Sequence, residues 1–422
     1  MLGDLLAGRR VRSLYQPIVH RASGAVIGYE ALARGPAGHA LERPDRLFAA
    51  ARAENRLADL DWLCRAAAFD GALDAGLRRP AALFVNAEAD VFDAPLPRAH
   101  AVTWRRATQH LKVLYEVTER GLSSRPAELL AEVERMRALG FGIAVDDLGT
   151  DWRSLALLPF IRPDVVKLDM ALVQGPLTDE VRALAAAARA YADESGALVL
   201  AEGIETAAHE ARADLLGAQL GQGWRYGRPA ALTTSAADRV RPGAGLVIDT
   251  RPIKLTTPAT IALGAGTGAI APKEALVHLS IAIERRAAAR AEPSVVLGAF
   301  QLAEHFLERR TCERYRRLAE GEAFVAAFGV GMPSAPAPGV RGAALAANER
   351  LAGEWHIIVV GPHHAEALIG RDLGDCGPDP QRRFEYLHTT DRELVVRVAR
   401  SLMLTIVPLA CGDGARDGRR AA

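Results

Sequence analysis

Short apolar, β-prone runs alternate with longer segments of helical periodicity from the N-terminus to about residue 230. The runs include VIGYEAL, ALFVNAE, KVLYEVTE, FGIAVDD, VVKLD and ALVLAEGIE, and the helical segments include ELLAEVERMRALG and DEVRALAAAARAYADESG. Strand and helix in regular alternation are typical of a parallel sheet covered by helices. Roughly eight such units in a stretch of this length predict an α/β fold, a closed (β/α)₈ barrel of the TIM type over residues 1–232.

The alternation of strands and helices ends C-terminal to the predicted barrel. Residues 233–252 are rich in Gly, Pro, Thr and Ser and predict a linker. In 253–410 the segments ALVHLSIAIERRAAAR, FQLAEHFLERRTCERYRRLAEG and RELVVRVARSLMLTIV predict helices, and AFVAAFGVG and EWHIIVVGP predict buried strands. This mixture indicates a smaller α/β or α+β domain, and 411–422 are expected to form a disordered tail.

The charge balance limits the partners that the chain can attract. The 422 residues include 52 basic and 51 acidic side chains, which gives a formal net charge of +1. No global field therefore draws the protein to a nucleic acid polymer or an anionic membrane. No apolar run approaches the roughly 20 residues of a membrane span, and the N-terminus lacks the features of a signal peptide. These observations predict a cytoplasmic protein without a membrane span.

A polar residue ends each predicted strand of the first domain. In chain order they are Glu30, Asn86, Glu116, the adjacent pair Asp146 and Asp147, Lys167, Glu202 and Gln222. The carboxyl ends of barrel strands converge on one face, which holds the active site of TIM-type enzymes. We therefore expect five carboxylates, two carboxamides and one ammonium to share one pocket.

Carboxylates this close together cannot all stay ionised without cations. Oxygen ligands without Cys or His favour Mg²⁺ or Mn²⁺ over zinc, and the adjacent Asp146 and Asp147 are suited to bridge two such ions. Two-metal sites favour in-line displacement at phosphorus. Enolase-like proton abstraction, with a Lys as base and carboxylates around Mg²⁺, remains open at this point.

The motifs in the first domain resemble those of EAL domains, which are cyclic di-GMP phosphodiesterases with a (β/α)₈-type barrel. YEALAR begins at Tyr29 and QPI at Gln16, and FVN, YEVTE, DDLGT, VKLD, AEGIE and GQGWRYGRP follow in the order and spacing of the family. The resemblance implies that two Mg²⁺ or Mn²⁺ ions support hydrolysis of cyclic di-GMP to linear pGpG, and that the protein is a homodimer through this domain.

The resemblance also implies roles for single residues. The metal ligands would be Glu30, Asn86, Glu116, Asp146 and Asp147. Lys167 would orient and help deprotonate the attacking water, and Glu202 would support the network of water and metals. Arg34 would grip a phosphate, while Gln16, Leu32 and Gln222 would line the substrate groove. Glu119 would anchor the loop after the aspartate pair.

That loop departs from the family pattern. Relatives usually have Phe where this chain has Leu148, a second Gly where it has Asp151, Tyr where it has Trp152, and Ser where it has Arg153. Asp151 would be costly if the position required a positive φ, and it would add negative charge near the metals. The alternative function is therefore a catalytically degenerate EAL domain that serves as a cyclic di-GMP receptor or a protein-interaction regulator.

The second domain resembles the DICT domain, a presumed sensory module found with diguanylate cyclase, EAL and two-component proteins. The similarity lies in AFQLAEHFLERRTCERYRRLAEGEAFVAAFGVG, LAGEWHIIVVGPHHAEAL and RRFEYLHTTDRELVVRVARSL. The resemblance implies that this domain regulates the barrel in response to a ligand or partner that the sequence does not identify.

Overall fold

The first domain is a closed eight-stranded barrel. The computed structural model describes residues 2–91, 94–149, 151–237, 239–240, 246–251, 253, 256–290 and 292–407. The barrel strands are β1 (Arg12–His20), β2 (Ala25–Arg34), β3 (Ala82–Asn86), β4 (Lys112–Thr118), β5 (Gly142–Leu148), β6 (Val165–Leu168), β7 (Leu198–Ala201) and β8 (Leu220–Gly221). This architecture confirms the predicted TIM-type barrel.

One strand of the barrel runs against the others. Strands β2 to β8 pair in parallel, whereas β1 is antiparallel to both β2 and β8. The prediction of an all-parallel sheet was therefore wrong for β1. The physical reason is the short turn at residues 21–24, because two strands joined by so few residues can pair only in opposite directions.

Helices cover the outside of this barrel. They are α1 (Leu2–Ala7), α2 (Pro44–Ala53), α3 (Leu57–Asp74), α4 (Ala101–His110), α5 (Glu119–Ser124), α6 (Pro126–Ala138), α7 (Leu158–Ile161), α8 (Met170–Gln174), α9 (Asp179–Ser195), α10 (Ala207–Leu215) and α11 (Thr234–Ala237). The barrel interior is filled by apolar side chains of every strand, such as Ile18, Phe84 and Leu114, all fully buried. The polar residues at the strand ends therefore lie above the apolar interior of the barrel.

The described part of the predicted linker is bound to the barrel. Leu246 and Ile248 pack against the apolar cluster inside the barrel. The Asp249 amide donates to Asp164 Oδ1 at 2.7 Å. Apolar contacts and a hydrogen bond thus hold this segment across the end of the barrel opposite the predicted site.

The second domain contains a seven-stranded mixed sheet. Its helices are α12 (Pro258–Leu263), α13 (Lys273–Ala288), α14 (Ala303–Leu307), α15 (Arg309–Gly321) and α16 (Arg392–Met403), and its strands are β9 (Ala269–Pro272), β10 (Val295–Leu302), β11 (Phe324–Val330), β12 (Val340–Leu345), β13 (Glu354–Val360), β14 (Ala365–Asp372) and β15 (Arg383–Thr389). The strand order is β12-β11-β10-β13-β14-β15-β9. Only the β10–β11 and β11–β12 pairs are parallel.

The sequence reading of this domain was incomplete. The helix predicted from Phe300 begins only at Ala303, because Phe300 to Leu302 complete the central strand β10. The aromatic and β-branched residues of that strand pair on both sides, with β11 and β13, so tertiary pairing overrides the local helical pattern. The predicted tail 411–422 lies outside the described residues. In the part of the chain that the structure describes, no helix has the length and apolar character to cross a membrane.

Candidate active site at the carboxyl ends of the barrel strands

Strand register brings the predicted polar residues together. Asn86 lies opposite Glu116 where β3 pairs with β4, and Gln16 lies opposite Glu30 where β1 pairs with β2. Neighbouring strands are only about 4.8 Å apart, so side chains at matched tips meet over the barrel mouth. The structure therefore groups the residues that the sequence pattern selected one by one.

Lys167 is the centre of the group and is fully buried. Its Nζ atom lies 2.7 Å from Glu116 Oε1, 2.7 Å from Asp146 Oδ1 and 2.8 Å from Glu202 Oε1. Glu30 Oε2 is 3.7 Å from the same nitrogen. Burial disfavours the ammonium, but the carboxylates of Asp146, Glu116 and Glu202 outweigh that effect and hold the pKa of Lys167 well above its ordinary value.

Carboxamides tie the remaining acid into the network. Asn86 Nδ2 donates to Glu30 Oε1 and to Glu116 Oε2, both at 3.1 Å. Gln222 Nε2 donates to Glu30 Oε2 at 2.5 Å and to Gln16 Oε1 at 3.1 Å. Glu30 is thus fixed from two sides, and each of its oxygens has a defined direction.

Asp146 and Asp147 leave the strand together because the strand is irregular at this point. The β5–β6 register shifts between Val145 and Leu148, and Asp147 has a φ of 57°. Asp is among the few residues other than Gly that tolerate this left-handed region. Asp146 points into the barrel mouth while Asp147 is exposed. The bulge therefore removes the need to bury one of the two aspartates in the outer core.

Electrostatic crowding is visible in the pKa values of the acids. Burial and the neighbouring Glu30 raise the pKa of Glu116 well above its ordinary value. Burial raises the pKa of Glu202 to about 8, although the ammonium of Lys167 opposes this effect. Asp147 is open to solvent on one side, but partial desolvation at the barrel mouth and the adjacent Asp146 raise its pKa to about 6. One ammonium does not compensate all the carboxylates at this site.

The donor set fits divalent cations. Asp146, Asp147 and Glu202 each offer an oxygen atom, and these oxygens lie within 4.8 Å of one another. Glu116 Oε1 and Asp146 Oδ1 are buried, and both lie 2.7 Å from the same ammonium. Buried carboxylate oxygens that share a single positive group are suited to Mg²⁺ or Mn²⁺. Glu202, which the resemblance placed in a supporting role, lies with the aspartate pair.

The predicted substrate-binding residues Leu32 and Arg34 line a cavity of about 300 Å³, together with Glu30 and Asn86. Arg34 Nη1 donates to the Ala33 carbonyl at 2.8 Å. Burial and the neighbouring Arg12 lower the pKa of Arg34. Among the described residues no carboxylate lies within ion-pair distance of its guanidinium, so Arg34 is available for an anionic group.

The carboxylate of Glu119 contacts the loop after the aspartate pair. Its carboxylate accepts from the amides of Gly149 at 3.3 Å and Asp151 at 3.0 Å, and from Ser154 Oγ at 2.6 Å. Ser154 is a residue that the sequence reading did not assign, although it retains the second Ser of the family pattern. Thr150 lies outside the described residues.

Replacing Glu119 with Ala is expected to lower metal affinity and turnover by about tenfold or more, because it leaves two loop amides and a hydroxyl without their buried acceptor. Manganese titration and turnover of cyclic di-GMP measure the effect. Glu119→Gln is the matched control, because it keeps one acceptor oxygen and should lose less. Wild-type affinity in Glu119→Ala would show that the loop is held by other contacts.

Asp151 does not occupy a strained position. Its φ is −136°, so the position does not require Gly, whereas Gly149, two residues earlier, has a φ of 143°. Asp151 Oδ1 accepts from the Arg153 amide at 3.1 Å, and its carboxylate pairs with the Arg153 guanidinium at 2.9 Å. This pair lowers the pKa of Asp151. The two substitutions compensate each other, which answers both concerns raised by the altered loop.

The Asp151→Gly variant, which restores the usual family residue, is therefore expected to change turnover by less than about threefold, the scale of a lost helix cap. Steady-state assays of both proteins at saturating Mn²⁺ provide the measurement. A tenfold gain of activity would mean that Asp151 impairs the loop in ways that its backbone conformation does not reveal.

Comparisons with known proteins agree with this geometry. The family model described as "EAL domain" matches residues 1–229. The model described as "Sensory domain in DIguanylate Cyclases and Two-component system" (DICT) matches residues 264–373. Both matches confirm the two resemblances seen in the sequence.

Curated relatives carry related names. Cyclic di-GMP phosphodiesterase RocR of Pseudomonas aeruginosa is 35% identical over 118 residues, which are 28% of this chain and 30% of that protein. Cyclic di-GMP phosphodiesterase NbdA of the same organism is 32% identical over 225 residues, 51% of this chain and 28% of the relative. Each match spans less than a third of the relative's own length.

Solved structures with related sequences include a manganese and cyclic di-GMP complex of Klebsiella pneumoniae BlrP1. BlrP1 is 28% identical to this chain, and the match covers 53% of this chain and 57% of the BlrP1 chain, with a TM-score of 0.47. The FimX EAL domain of Pseudomonas aeruginosa bound to cyclic di-GMP is 19% identical to this chain. The match covers 59% of this chain and 98% of the FimX chain, again with a TM-score of 0.47.

The family model spans more than half of the chain, and the strand ends of the barrel carry the polar residues of its motifs. The protein therefore belongs to the EAL domain family and carries a DICT domain behind its barrel.

Proposed function

We propose that the barrel hydrolyses cyclic di-GMP to linear pGpG with the help of two divalent ions, Mg²⁺ or Mn²⁺, under the control of the DICT domain. The observation that carries the proposal is the buried cluster of carboxylates around a single ammonium, in which Glu116, Asp146 and Glu202 all lie within 2.8 Å of Lys167 Nζ. The names of the relatives support the same substrate.

In the proposed reaction, water attacks one phosphorus atom and loses a proton, the bond from phosphorus to the 3′ oxygen breaks, and the 3′ oxygen takes up a proton to become a hydroxyl. The ring opens to a linear dinucleotide with a 5′ phosphate. Bound divalent ions activate water and stabilise the leaving oxygen. Glu30, Asn86, Glu116, Asp146 and Asp147 would hold these ions.

The remaining side chains bind and orient. Arg34 would receive a substrate phosphate in the cavity that it lines, while Gln16, Leu32 and Gln222 would border the dinucleotide. Lys167, which pairs with Glu116, Asp146 and Glu202, would orient the attacking water and help deprotonate it. The adjacent aspartates and Asn86 favour two ions and a phosphodiester over enolase-like chemistry. Glu202 would fix this ammonium and share the metal site.

The proposal extends to assembly and location. We infer a cytoplasmic homodimer that forms through the EAL domain, with an unidentified ligand or partner at the DICT domain. The half-exposed Trp152 supports the dimer, because a large apolar side chain on the loop after the aspartate pair would gain from burial against a second copy.

The deciding experiment incubates the purified full-length chain with cyclic di-GMP and Mn²⁺, Mg²⁺ or a chelator, and separates the products by chromatography. We expect pGpG with either ion and none with the chelator. Tight binding of cyclic di-GMP without turnover would refute the enzyme and establish the receptor, which is the alternative that the altered loop first suggested.

A further inference from the structure

The last described helix of the DICT domain is docked on the barrel. Arg400 of α16 is 4% exposed, and its Nε atom donates to the Phe160 carbonyl at 2.8 Å. A second guanidinium nitrogen donates to Glu134 Oε1 at 2.5 Å. Both acceptors belong to the barrel, since Glu134 lies on α6 and Phe160 on α7. Arg400 therefore joins two barrel helices to the DICT domain through one planar group.

The contact with Phe160 occurs at the end of the loop segment that begins after Asp147. The last carbonyls of a helix receive no hydrogen bond from an amide of the same helix. The Phe160 carbonyl of the four-residue α7 therefore needs a donor from outside the helix. Helix α7 directly continues the short 3₁₀ helix Trp152–Leu157. Glu119 holds the first part of this segment, and Arg400 holds its far end.

The segment between these two anchors is packed along most of its length. Residues 154–161 are all buried. Closely packed segments of this kind transmit displacement, because their side chains cannot shift singly without leaving voids. A movement of α7 would therefore reach Ser154 and the loop amides bound by Glu119, and from there Asp147.

Glu134 also links this contact to the chain that connects the two domains. Its Oε2 atom accepts from the Ile253 amide at 3.1 Å, while Oε1 accepts from Arg400. Both side chains of the pair are at most 5% exposed. Removing one partner of a buried pair leaves an uncompensated charge, so α16 cannot move away from α6 without a large cost.

We propose that Arg400 is a positioning residue for the loop that carries Asp146 and Asp147, and that docking of α16 thereby sets metal affinity in the barrel. This inference deepens the proposed function by naming the route of control by the DICT domain, and it rests on the proposal that the barrel binds divalent ions. A signal that shifts α16 would act through the Phe160 carbonyl.

The chain offers a matched control. Arg392, on the same helix, pairs with Glu194 of α9 at 3.2 Å, and this contact also joins the two domains. Glu194 is more than half exposed, and among the described residues it makes no hydrogen bond to the segment that follows Asp147. The Glu194→Gln variant thus weakens interdomain contact without touching the anchor of α7.

The test measures free Mn²⁺ by electron paramagnetic resonance during titration of the full-length wild type, Arg400→Met, Arg400→Lys and Glu194→Gln. We expect Arg400→Met to weaken Mn²⁺ binding by about tenfold, the lower range for groups that act through a ligand's supports. Glu194→Gln should stay within about twofold of the wild type. The Mn²⁺ affinity of Arg400→Lys should lie between those of the other two variants, because a lysine retains the charge but cannot make both hydrogen bonds.

Wild-type Mn²⁺ affinity in folded Arg400→Met, or equal losses in Arg400→Met and Glu194→Gln, would overturn the inference. Should Arg400→Met fail to fold by circular dichroism, Glu134→Gln replaces it, because that change weakens the same pair and keeps its shape. Because the measurement needs no turnover, a wild type that binds Mn²⁺ but does not produce pGpG would refute the proposed function alone.

Discussion

We expect the Glu30→Ala variant to hydrolyse cyclic di-GMP more than about 100-fold more slowly than the wild type, because loss of a direct ligand should exceed the 10- to 100-fold cost of changing a ligand's support. Glu30 accepts hydrogen bonds from Asn86 and Gln222 and lies 3.7 Å from the ammonium of Lys167. Its removal therefore takes away one negative ligand and releases both carboxamides that orient the network.

The measurement is the initial rate of pGpG formation at several Mn²⁺ concentrations. Glu180→Ala is the matched control, since Glu180 is an exposed acid on α9 outside the strand ends and should leave the rate unchanged. Turnover in Glu30→Ala within tenfold of the wild type would contradict the assignment of the metal site to these strand ends.

The second large effect concerns stability. Replacing Lys167 with Met should lower the free energy of unfolding of the metal-free protein by about 3–5 kcal/mol, the cost of removing one partner of a buried ionic group. Met preserves much of the volume of Lys, so the lower free energy of unfolding would reflect the missing positive charge rather than a cavity. The Glu116, Asp146 and Glu202 oxygens, all within 2.8 Å of the ammonium, would face one another without a cation.

Divalent ions should restore much of that loss. Thermal unfolding with and without Mn²⁺ is expected to show a larger metal-induced rise of the midpoint for Lys167→Met than for the wild type, because the ion replaces the missing positive charge. Lys112→Met is the control, since Lys112 binds the Leu246 carbonyl at the opposite end of the barrel. Identical Mn²⁺ responses in all three proteins would contradict a cation site around Lys167.

Much of the candidate site could be predicted from the local sequence pattern of each strand. A β-prone run that ends in a carboxylate, as in YEVTE or AEGIE, marks a strand tip, and strand tips of a barrel must meet. Glu116, Lys167 and Glu202 could thus be grouped before any coordinate was known. Their ion pairs could not be assigned, because the sequence does not state which tip faces which across the barrel.

The backbone of the loop could not be read in the same way. Asp151 looked unfavourable because it replaces a Gly, yet its extended φ and its pair with Arg153 remove the difficulty. The bulge that turns Asp147 outward depends on the β5–β6 register. The Asp151–Arg153 pair is a contact within the loop, whereas the bulge depends on hydrogen bonding between two strands that the loop and α7 separate.

By itself, the sequence determined the barrel, the identity of its polar strand tips and the kinship of both domains, because these depend on residue type and on periodicity along the chain. The tertiary structure alone decided the pairing of β1 with β8, the strand at Phe300 and the docking of Arg400 on Glu134 and Phe160. These features arise from contacts between segments distant in sequence, and pairing and packing free energies, rather than local preference, select among them.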